Sequence, residues 1–422
     1  MERPDPTARA AQSSPEALPL QDIRVVEFTH AVMGPAAGLI LADLGAEVIR
    51  VEPAPQGDHT RRLKGFGSGY YTFFNRNKKS LAVDLKTPEG QEIVRALLAT
   101  MDVLIENFAP GTMERLGLGY PAVRELNPTI IYCSLKGFME GPYQHRTALD
   151  EVVQMMSGLA YMTGPPGQPL RAGASIVDIL GGTFGAVAIL TALRERERTG
   201  QGAFVQNGLF ETAAYIMGQH MAYAAMAQEP VPPMPARVSP WAVYRLFHTA
   251  DGQQVFVGIT SDKHWQAFCQ AFQRPDLLAD ESLATNAQRV DARDRLHPEL
   301  ERMFGRMSLE EIVDRCQEAG IPFAPVARPE DLFQDPHLVQ SHGLVDVALP
   351  NGQRIRLPRL PIAIRHVRYG LRRDPPAIGA DTAAILQSLG FHEAEIRRLH
   401  QAQIVVDGRL PSPHAPSEKE KP

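Results

Sequence analysis

Residues 23–52 read IRVVEFTHAVMGPAAGLILADLGAEVIRVE, and the rhythm of this stretch decides the fold. IRVVEF is a β-rich run of strand length, GPAAGLILADLG has helical composition, and AEVIRVE returns to strand-forming residues. Pro35 stands where the first helical turn begins and Gly45 where a C-terminal cap falls, so both ends of the helix carry their expected punctuation. A strand, a crossover helix and a parallel strand form the unit from which α/β sheets are built.

The same rhythm continues outward. KSLAVDL (79–85) reads as a strand, Thr87-Pro88-Glu89 opens the helix TPEGQEIVRALLATM, DVLIENF (102–108) is the next strand, and TIIYCSLKGF (129–138) is another, buried one. Helical text dominates from Asp150 to Arg198, where GGTFGAVAILTALRERERTGQG passes from an apolar, Gly-rich start to a charged end. Five prolines in QEPVPPMPARVSP (228–240) mark a domain boundary. Beyond it, WAVYRLFHTADGQQVFVGI reads as a hairpin turning near Asp251-Gly252, and Ser308-Leu309-Glu310-Glu311 has the pattern of a capping box. LVDVALPNGQRIRLP is a further hairpin around Asn351-Gly352, followed by a helical pair split at Gly390. The expected organisation is an α/β protein with a disordered extension (1–20), a large α/β domain (21–227), a linker with a small α+β domain (228–336), a return to the large domain (337–408) and a disordered tail (409–422).

At 422 residues the chain is long enough for two or three domains of about 150 residues each. Hydrophobic residues make up 44% and charged residues 22%, and 43 basic against 48 acidic residues leave a net charge of −5. Nothing in that balance points to nucleic acid or to an anionic membrane. The three cysteines, Cys133, Cys269 and Cys316, form no CxxC pair, which speaks against a disulfide framework or a cysteine-rich zinc site and for a reducing, cytoplasmic setting. The N-terminus has no apolar core of signal-peptide length, and the longest apolar stretch, residues 176–193, is broken by Asp178, Gly181, Gly182 and Gly185, which argues against a membrane span.

The first β-to-α turn, FTHAVMGPAAG, ends at a helix N-terminus, whose free amides favour anionic groups. Glu52 mimics the ribose-binding acid of a dinucleotide site, but the GxGxxG glycines that allow close pyrophosphate approach are absent, which argues against NAD or FAD. His30, at the end of the first strand, reads equally as a ligand contact and as a histidine hydrogen-bonded in its turn. Asn75-Arg76-Asn77-Lys78-Lys79, with Lys86 and Arg115, reads either as a phosphate-binding group of cations or as a solvated face. Asp178 lies in the apolar, small-residue run ASIVDILGGTFGAV, where a carboxylate is costly to bury unless paired or used. A helix-capping or buried, hydrogen-bonded aspartate is the alternative. Gly181 and Gly182 would allow a substrate or backbone close to that carboxylate, and the amides of a Gly181–Gly182 turn would serve a tetrahedral oxyanion. No zinc-spaced histidine pair, GxSxG elbow or Walker loop competes with it.

These residues belong to ordered blocks, FTHAVMGPAAGLILADLGAEVIRVE, NRNKKSLAVDLKTPEG, DVLIENFAPGTMERLGLGY, LNPTIIYCSLKGF, the Asp178 segment with RERERTGQG, and GIPFAPV. Together they resemble the class III CoA-transferases, the family of formyl-CoA, carnitine and bile-acid CoA-transferases, over residues 18–405. The resemblance implies a nucleophilic role for Asp178 and coenzyme A contacts at His30, Val83, Lys86, Asn107, Phe108 and Arg115. Val32 and Pro53 stand where formyl-CoA transferases carry Gln and Arg, and no GGGG-like run is present, so an oxalate or formate specificity is not implied. The Pro-rich segment with Arg237, Trp241 and Tyr244 is the candidate replacement for the family's active-site loop, with Arg237 facing a substrate carboxylate. The related 2-methylacyl-CoA racemases place a histidine immediately before the acid that here is Asp150; this chain has Leu149, so one of the two groups that racemisation needs is missing.

The activity so implied is movement of CoA from an acyl-CoA, by preference succinyl-CoA, to a free acid, by preference a small dicarboxylate, through an aspartyl-CoA thioester at Asp178. The CoA thioester is then a co-substrate, and neither a permanently bound cofactor nor a metal is expected. The resemblance further implies two subunits interlocked as linked rings, with the active site between domains. The alternatives are a racemase or other CoA-ester isomerase, and a non-catalytic CoA-binding protein.

Overall fold

The computed structural model describes residues 18–408 except 238, 350, 351 and 366. The expectations for residues 1–17, for the tail 409–422 and for Asn351 therefore lie outside the described residues. The chain divides into two compact units, one formed by residues up to Pro235 together with those from Ser341 onward, the other by Ala236–Gln340.

The first unit is built on a seven-stranded sheet among the described residues. Its parallel strands are β1 (Arg24–Phe28), β2 (Glu47–Glu52), β3 (Lys78–Val83), β4 (Val103–Glu106), β5 (Ile131–Lys136) and β6 (Ala203–Gly208). The order is β3-β2-β1-β4-β5-β6, with the short strand Val405–Val406 antiparallel on the outer edge of β3. Helices α1 (Met33–Asp43), α2 (Pro88–Leu98), α3 (Asp150–Met156) and α4 (Ile176–Thr199) link these strands. Thr87 caps α2 by accepting from the Gly90 amide at 3.1 Å, and Gly45, with φ 116°, ends the α1 segment as its sequence position implies.

The four central strands, β2, β1, β4 and β5, split their side chains between two cores. Val26, Phe28, Ile49 and Val51 pack with Ile93 and Leu97 of α2 and with Ile385, Leu386, Ile396 and Leu399 of the C-terminal helices Thr382–Ser388 and Glu393–Gln401. Val25, Val48, Val103 and Ile131 face the other way, onto Ala37 and Leu41 of α1 and Val177 and Ile189 of α4. A parallel sheet is stable when both faces are covered in this way, so the C-terminal residues complete a layer that the N-terminal part alone leaves open. The length and hydropathy of α4 would suit a membrane crossing, but Gly181, Gly182, Gly185 and Ala186 bury its packing face in the protein.

Beneath the N-terminal half of α1 lies a buried charge cluster. Register pairs Glu27 with Arg50; Lys78 donates to Glu27 at 2.8 Å and to the Pro35 carbonyl at 2.9 Å. Arg50 donates to Asn75 Oδ1 at 2.7 Å and to the Thr29 carbonyl at 3.1 Å and pairs with Asp58. Arg76 pairs with Asp43 at 2.7 Å. The NRNKK segment thus corrects both of its sequence readings: Arg76 and Lys78 are neither phosphate ligands nor a solvated face, because their carboxylate partners come from β1 and α1, remote in sequence. Glu52 likewise serves the fold, pairing with Arg61 at 2.6 Å and accepting from the Asp58 amide at 2.9 Å.

The second unit carries a three-stranded antiparallel sheet, Val243–His248, Gln254–Ile259 and Phe323–Pro325, backed by helices Asp262–Ala271, Arg293–Phe304 and Leu309–Glu318. Trp265, Phe268, Leu300, Phe304, Ile312 and Cys316 fill its core. The first two strands form the hairpin expected from sequence, with Gly252 at φ 74° in its turn. At Ser308 only half the capping box forms: its hydroxyl accepts from the Glu311 amide, while Arg315 takes the Glu311 carboxylate at 2.7 Å.

Candidate active site

In an open α/β sheet, ligands bind beyond the carboxyl ends of the strands where the strand order reverses. Here that point lies between β1 and β4, and the residues that leave these strands, Thr29-His30-Ala31 and Asn107-Phe108, meet across it. The His30 amide donates to Asn107 Oδ1 and Asn107 Nδ2 donates back to the His30 carbonyl, both at 2.9 Å. The His30 ring stacks on Phe108 at 5.7 Å and lies 5.8 Å from the His59 ring. Burial, reinforced by the His59, Arg50 and Lys136 charges, lowers the His30 pKa to about 4, so the imidazole is neutral at pH 7. Ala31 adopts φ 57°, an uncommon backbone state for a residue with a side chain.

Two cavities open from this point and share His30 and Phe108. The inner one, about 260 Å³, is lined by Asp178, Asp150, Leu149, Asn107, Lys136 and Arg146 among others. The outer one, about 780 Å³, is lined by Val83, Lys86, Pro53, His59, Arg62 and Thr112 among others. A long ligand laid across His30 and Phe108 would extend from solvent-exposed Lys86 to the Asp178 carboxylate.

Asp178 stands in the first turn of α4 but does not cap it. Its own amide and that of Val177 donate to Asp150 Oδ2 at 3.0 and 2.9 Å, so the capping aspartate is Asp150, from α3. Among the described residues no hydrogen bond reaches the Asp178 carboxylate. Burial first, then the charge of Asp150, push its pKa up to about 7, against a downward pull from Arg171. A carboxylate raised in this way is a stronger base and nucleophile than one in water, yet is still substantially ionised near neutrality.

Gly181 and Gly182 form no turn. They are interior to α4, where backbone amides are spent on carbonyls four residues earlier, so the expected oxyanion donors are not free. Their place is a packing one: a Cβ on Gly182 would stand 2.6 Å from the Met33 carbonyl oxygen and 2.7 Å from Ala36 Cβ, and one on Gly181 would stand 2.7 Å from Met33 Cε.

The chain matches known proteins over most of its length. The model of CoA-transferase family III matches residues 20–382. This chain belongs to that family. Among the relatives of this class III CoA-transferase are the mouse succinyl-CoA:glutarate CoA-transferase, 32% identical with 93% of this chain and 92% of the relative covered, and the Agrobacterium fabrum succinate–glutarate CoA-transferase, 34% identical with 88% and 96% covered. A succinyl-CoA–D-citramalate CoA-transferase of Chloroflexus aurantiacus is 32% identical over 92% of this chain and 98% of its own. Among solved structures, a CaiB/BaiF family protein from Brucella suis superposes with a TM-score of 0.80 at 31% identity, covering 89% of this chain and all of that one.

In this CoA-transferase the structure brings His30, Asn107, Phe108 and Asp178 to one cavity, and His30, Phe108, Val83 and Lys86 to the adjoining one. Arg115 lines neither; its guanidinium donates to Thr112 Oγ1 at 2.8 Å, and Thr112 lines the outer cavity. Arg237, Trp241 and Tyr244 belong to the second unit, where the Trp241 and Tyr244 rings pack at 4.9 Å. Sequence reasoning gave no role to Asp150, Lys136 or Arg146. Lys136 bridges Glu106 at 2.6 Å and the Phe108 carbonyl at 2.7 Å, while Arg146 rests 4.8 Å from the Tyr143 ring centroid and 5.8 Å from that of Phe138. Asp150 carried a weaker signal than Asp178: it is an acid that opens the helix DEVVQMM next to a second acid, Glu151.

Proposed function

We propose that the CoA-transferase moves CoA from succinyl-CoA to a small dicarboxylate such as glutarate, with Asp178 as nucleophile. The observation that carries the reading is the Asp178 carboxylate, with no hydrogen bond among the described residues and a raised pKa, at the inner end of paired cavities at the switch point. The dicarboxylate names of the relatives support the choice of substrates.

An Asp178 oxygen attacks the thioester carbonyl and expels CoA thiolate, leaving a mixed anhydride. The thiolate attacks the aspartyl carbonyl, releases succinate and forms an aspartyl-CoA thioester. The acceptor carboxylate attacks that carbonyl, expelling the thiolate again, which then attacks the acceptor's acyl carbon and returns Asp178 to a free carboxylate. Each step exchanges one activated acyl bond for another, so covalent catalysis conserves the thioester energy. His30, Val83, Lys86, Asn107, Phe108 and Arg115 are the proposed CoA contacts, with Lys86 suited to phosphate as an exposed ammonium at the cavity rim. Arg146, a cation lining the Asp178 cavity without a carboxylate partner among the described residues, suits the far carboxylate of the acid.

Racemisation is disfavoured by Leu149, which lines the Asp178 cavity and is 65% exposed where an acid–base group would be required. A homodimer, interlocked as in the family, is the proposed assembly. Helix Gly218–Ala227 buries none of its residues and, with its Met226 85% exposed and Tyr215 of the preceding helix Leu209–Ile216 75% exposed, offers an apolar surface suited to a second copy; light scattering on the eluting protein reads its mass. The activity is tested by mass spectrometry of CoA esters after mixing the enzyme with succinyl-CoA and a panel of acids. Glutaryl-CoA or another dicarboxyl-CoA formed by the parent and not by Asp178→Ala is expected; solvent deuterium entering 2-methylacyl-CoA with no new ester would instead select the racemase.

A further inference from the structure

The helix that carries Asp178 takes its cap from another element. Ser175, at the N-cap position, makes no capping hydrogen bond, and Asp150 Oδ2 receives the Val177 and Asp178 amides in its place. Its other oxygen, Oδ1, accepts from Gln154 Nε2 at 2.5 Å and lies 3.7 Å from Arg171 Nη2. Gln154 in turn accepts the Ala172 amide at 2.9 Å, which ties the segment before α4 to the same cluster. Asp150 is 7% exposed. A serine or threonine hydroxyl satisfies helix amides without a net charge, so a buried carboxylate beside a second carboxylate is more than capping requires.

Resting on the reading of Asp178 as the nucleophile, we propose that Asp150 is the positioning residue of the transfer reaction. Through the two amides it fixes the backbone from which Asp178 projects, and its negative charge sets the field in which the Asp178 carboxylate reacts. The other charged or titratable groups at the site are few. Arg171 offsets part of the Asp150 charge but is shared with Glu151 at 3.7 Å. Lys136 is paired with Glu106, Arg146 is held on aromatic rings, and His30 is neutral at pH 7. Among them Asp150 is the carboxylate joined to the backbone of Asp178 itself.

The test uses the full-length enzyme with succinyl-CoA and glutarate, reading kcat and kcat/KM from pH 5 to pH 9. Asp150→Asn keeps an oxygen for the amides and removes the charge; its acidic limb is expected to move to lower pH by roughly one unit, as loss of a neighbouring like charge does, with a lower plateau from the less basic nucleophile. Asp150→Ala loses cap and charge together, and its kcat is expected to fall by about tenfold or more at every pH while KM for succinyl-CoA stays within about twofold. A purely structural role would lower the melting temperature of both variants and leave the Asp150→Asn limb in place. If Asp150→Ala fails to fold, the Asp150→Asn profile decides alone. A profile that superimposes on the parent's, or an Asp150→Ala enzyme with parental kcat, overturns the inference. Asp178→Ala run alongside separates the two claims: if it is dead while the Asp150→Asn limb is unmoved, only the positioning role falls, whereas residual transfer by Asp178→Ala removes the nucleophile and this role with it.

Discussion

Partial burial, then the Asp150 charge, push the Asp178 carboxyl up to about 7, and two outcomes follow from the sign of that shift. The proposed nucleophile reacts as the ionised form, so kcat/KM should fall about tenfold per pH unit below an inflection near 7 and level off above it; a steady-state pH profile measures this, and a limb near 4 would contradict the upward shift. Folding, in contrast, favours the neutral acid. A carboxyl whose folded pKa lies above its unfolded value loses its stabilising contribution as pH rises through the folded pKa. Asp178→Asn should therefore gain in melting temperature relative to the parent between pH 5 and pH 8, with the gap widening toward pH 8. Asp178 was legible in the sequence because a charge inside ASIVDILGGTFGAV has no local reason to be there. Asp150 was not read as its cap, because the contact joins residues 28 apart through the packing of α3 on α4. Gly181-Gly182 reads as a turn by composition, but the need of α4 to lie against α1 overrides the local preference of glycine for turns.

At the scale of elements, the site depends on how closely α4 approaches α1. Gly182→Ala forces a methyl group against the Met33 carbonyl and Ala36, and is expected to destabilise the protein by about 1–3 kcal/mol and to lower kcat by displacing the first turn of α4; urea unfolding and steady-state rates check both. The buried cluster under α1 is the second support. Removing the Arg50 charge with Arg50→Met takes the guanidinium from buried Asp58 and frees the Thr29 carbonyl just before His30, while Glu27 keeps Lys78, so a loss of about 3–5 kcal/mol is expected, read by the same denaturation midpoint. The strands and α1, α2 and α4 were legible from period and punctuation, since IRVVEF, AEVIRVE and TPEGQEIVRALL carry their own signals. The role of NRNKK was not, because its partners Asp43 and Glu27 are supplied by α1 and β1, and a row of cations in sequence does not reveal which of them turn inward.

For the molecule as a whole, the strand order β3-β2-β1-β4-β5-β6 places one reversal of direction at the centre of the sheet, and His30, Asn107, Phe108 and Asp178 gather there. The C-terminal residues return to cover the face left open by α2, which explains why a chain interrupted by a second unit still builds one sheet with two cores. The alternation of strand and helix made the α/β class legible; the order of the strands, and hence the place of the site, emerges only from tertiary pairing. The central claim is that CoA passes through a covalent bond to Asp178. It is tested most directly by mixing the enzyme with succinyl-CoA alone, trapping with hydroxylamine and mapping the modified peptide by mass spectrometry. A hydroxamate at Asp178, absent from Asp178→Ala, is the expected result; transfer that proceeds with Asp178 unmodified, or with the adduct on another residue, would contradict it.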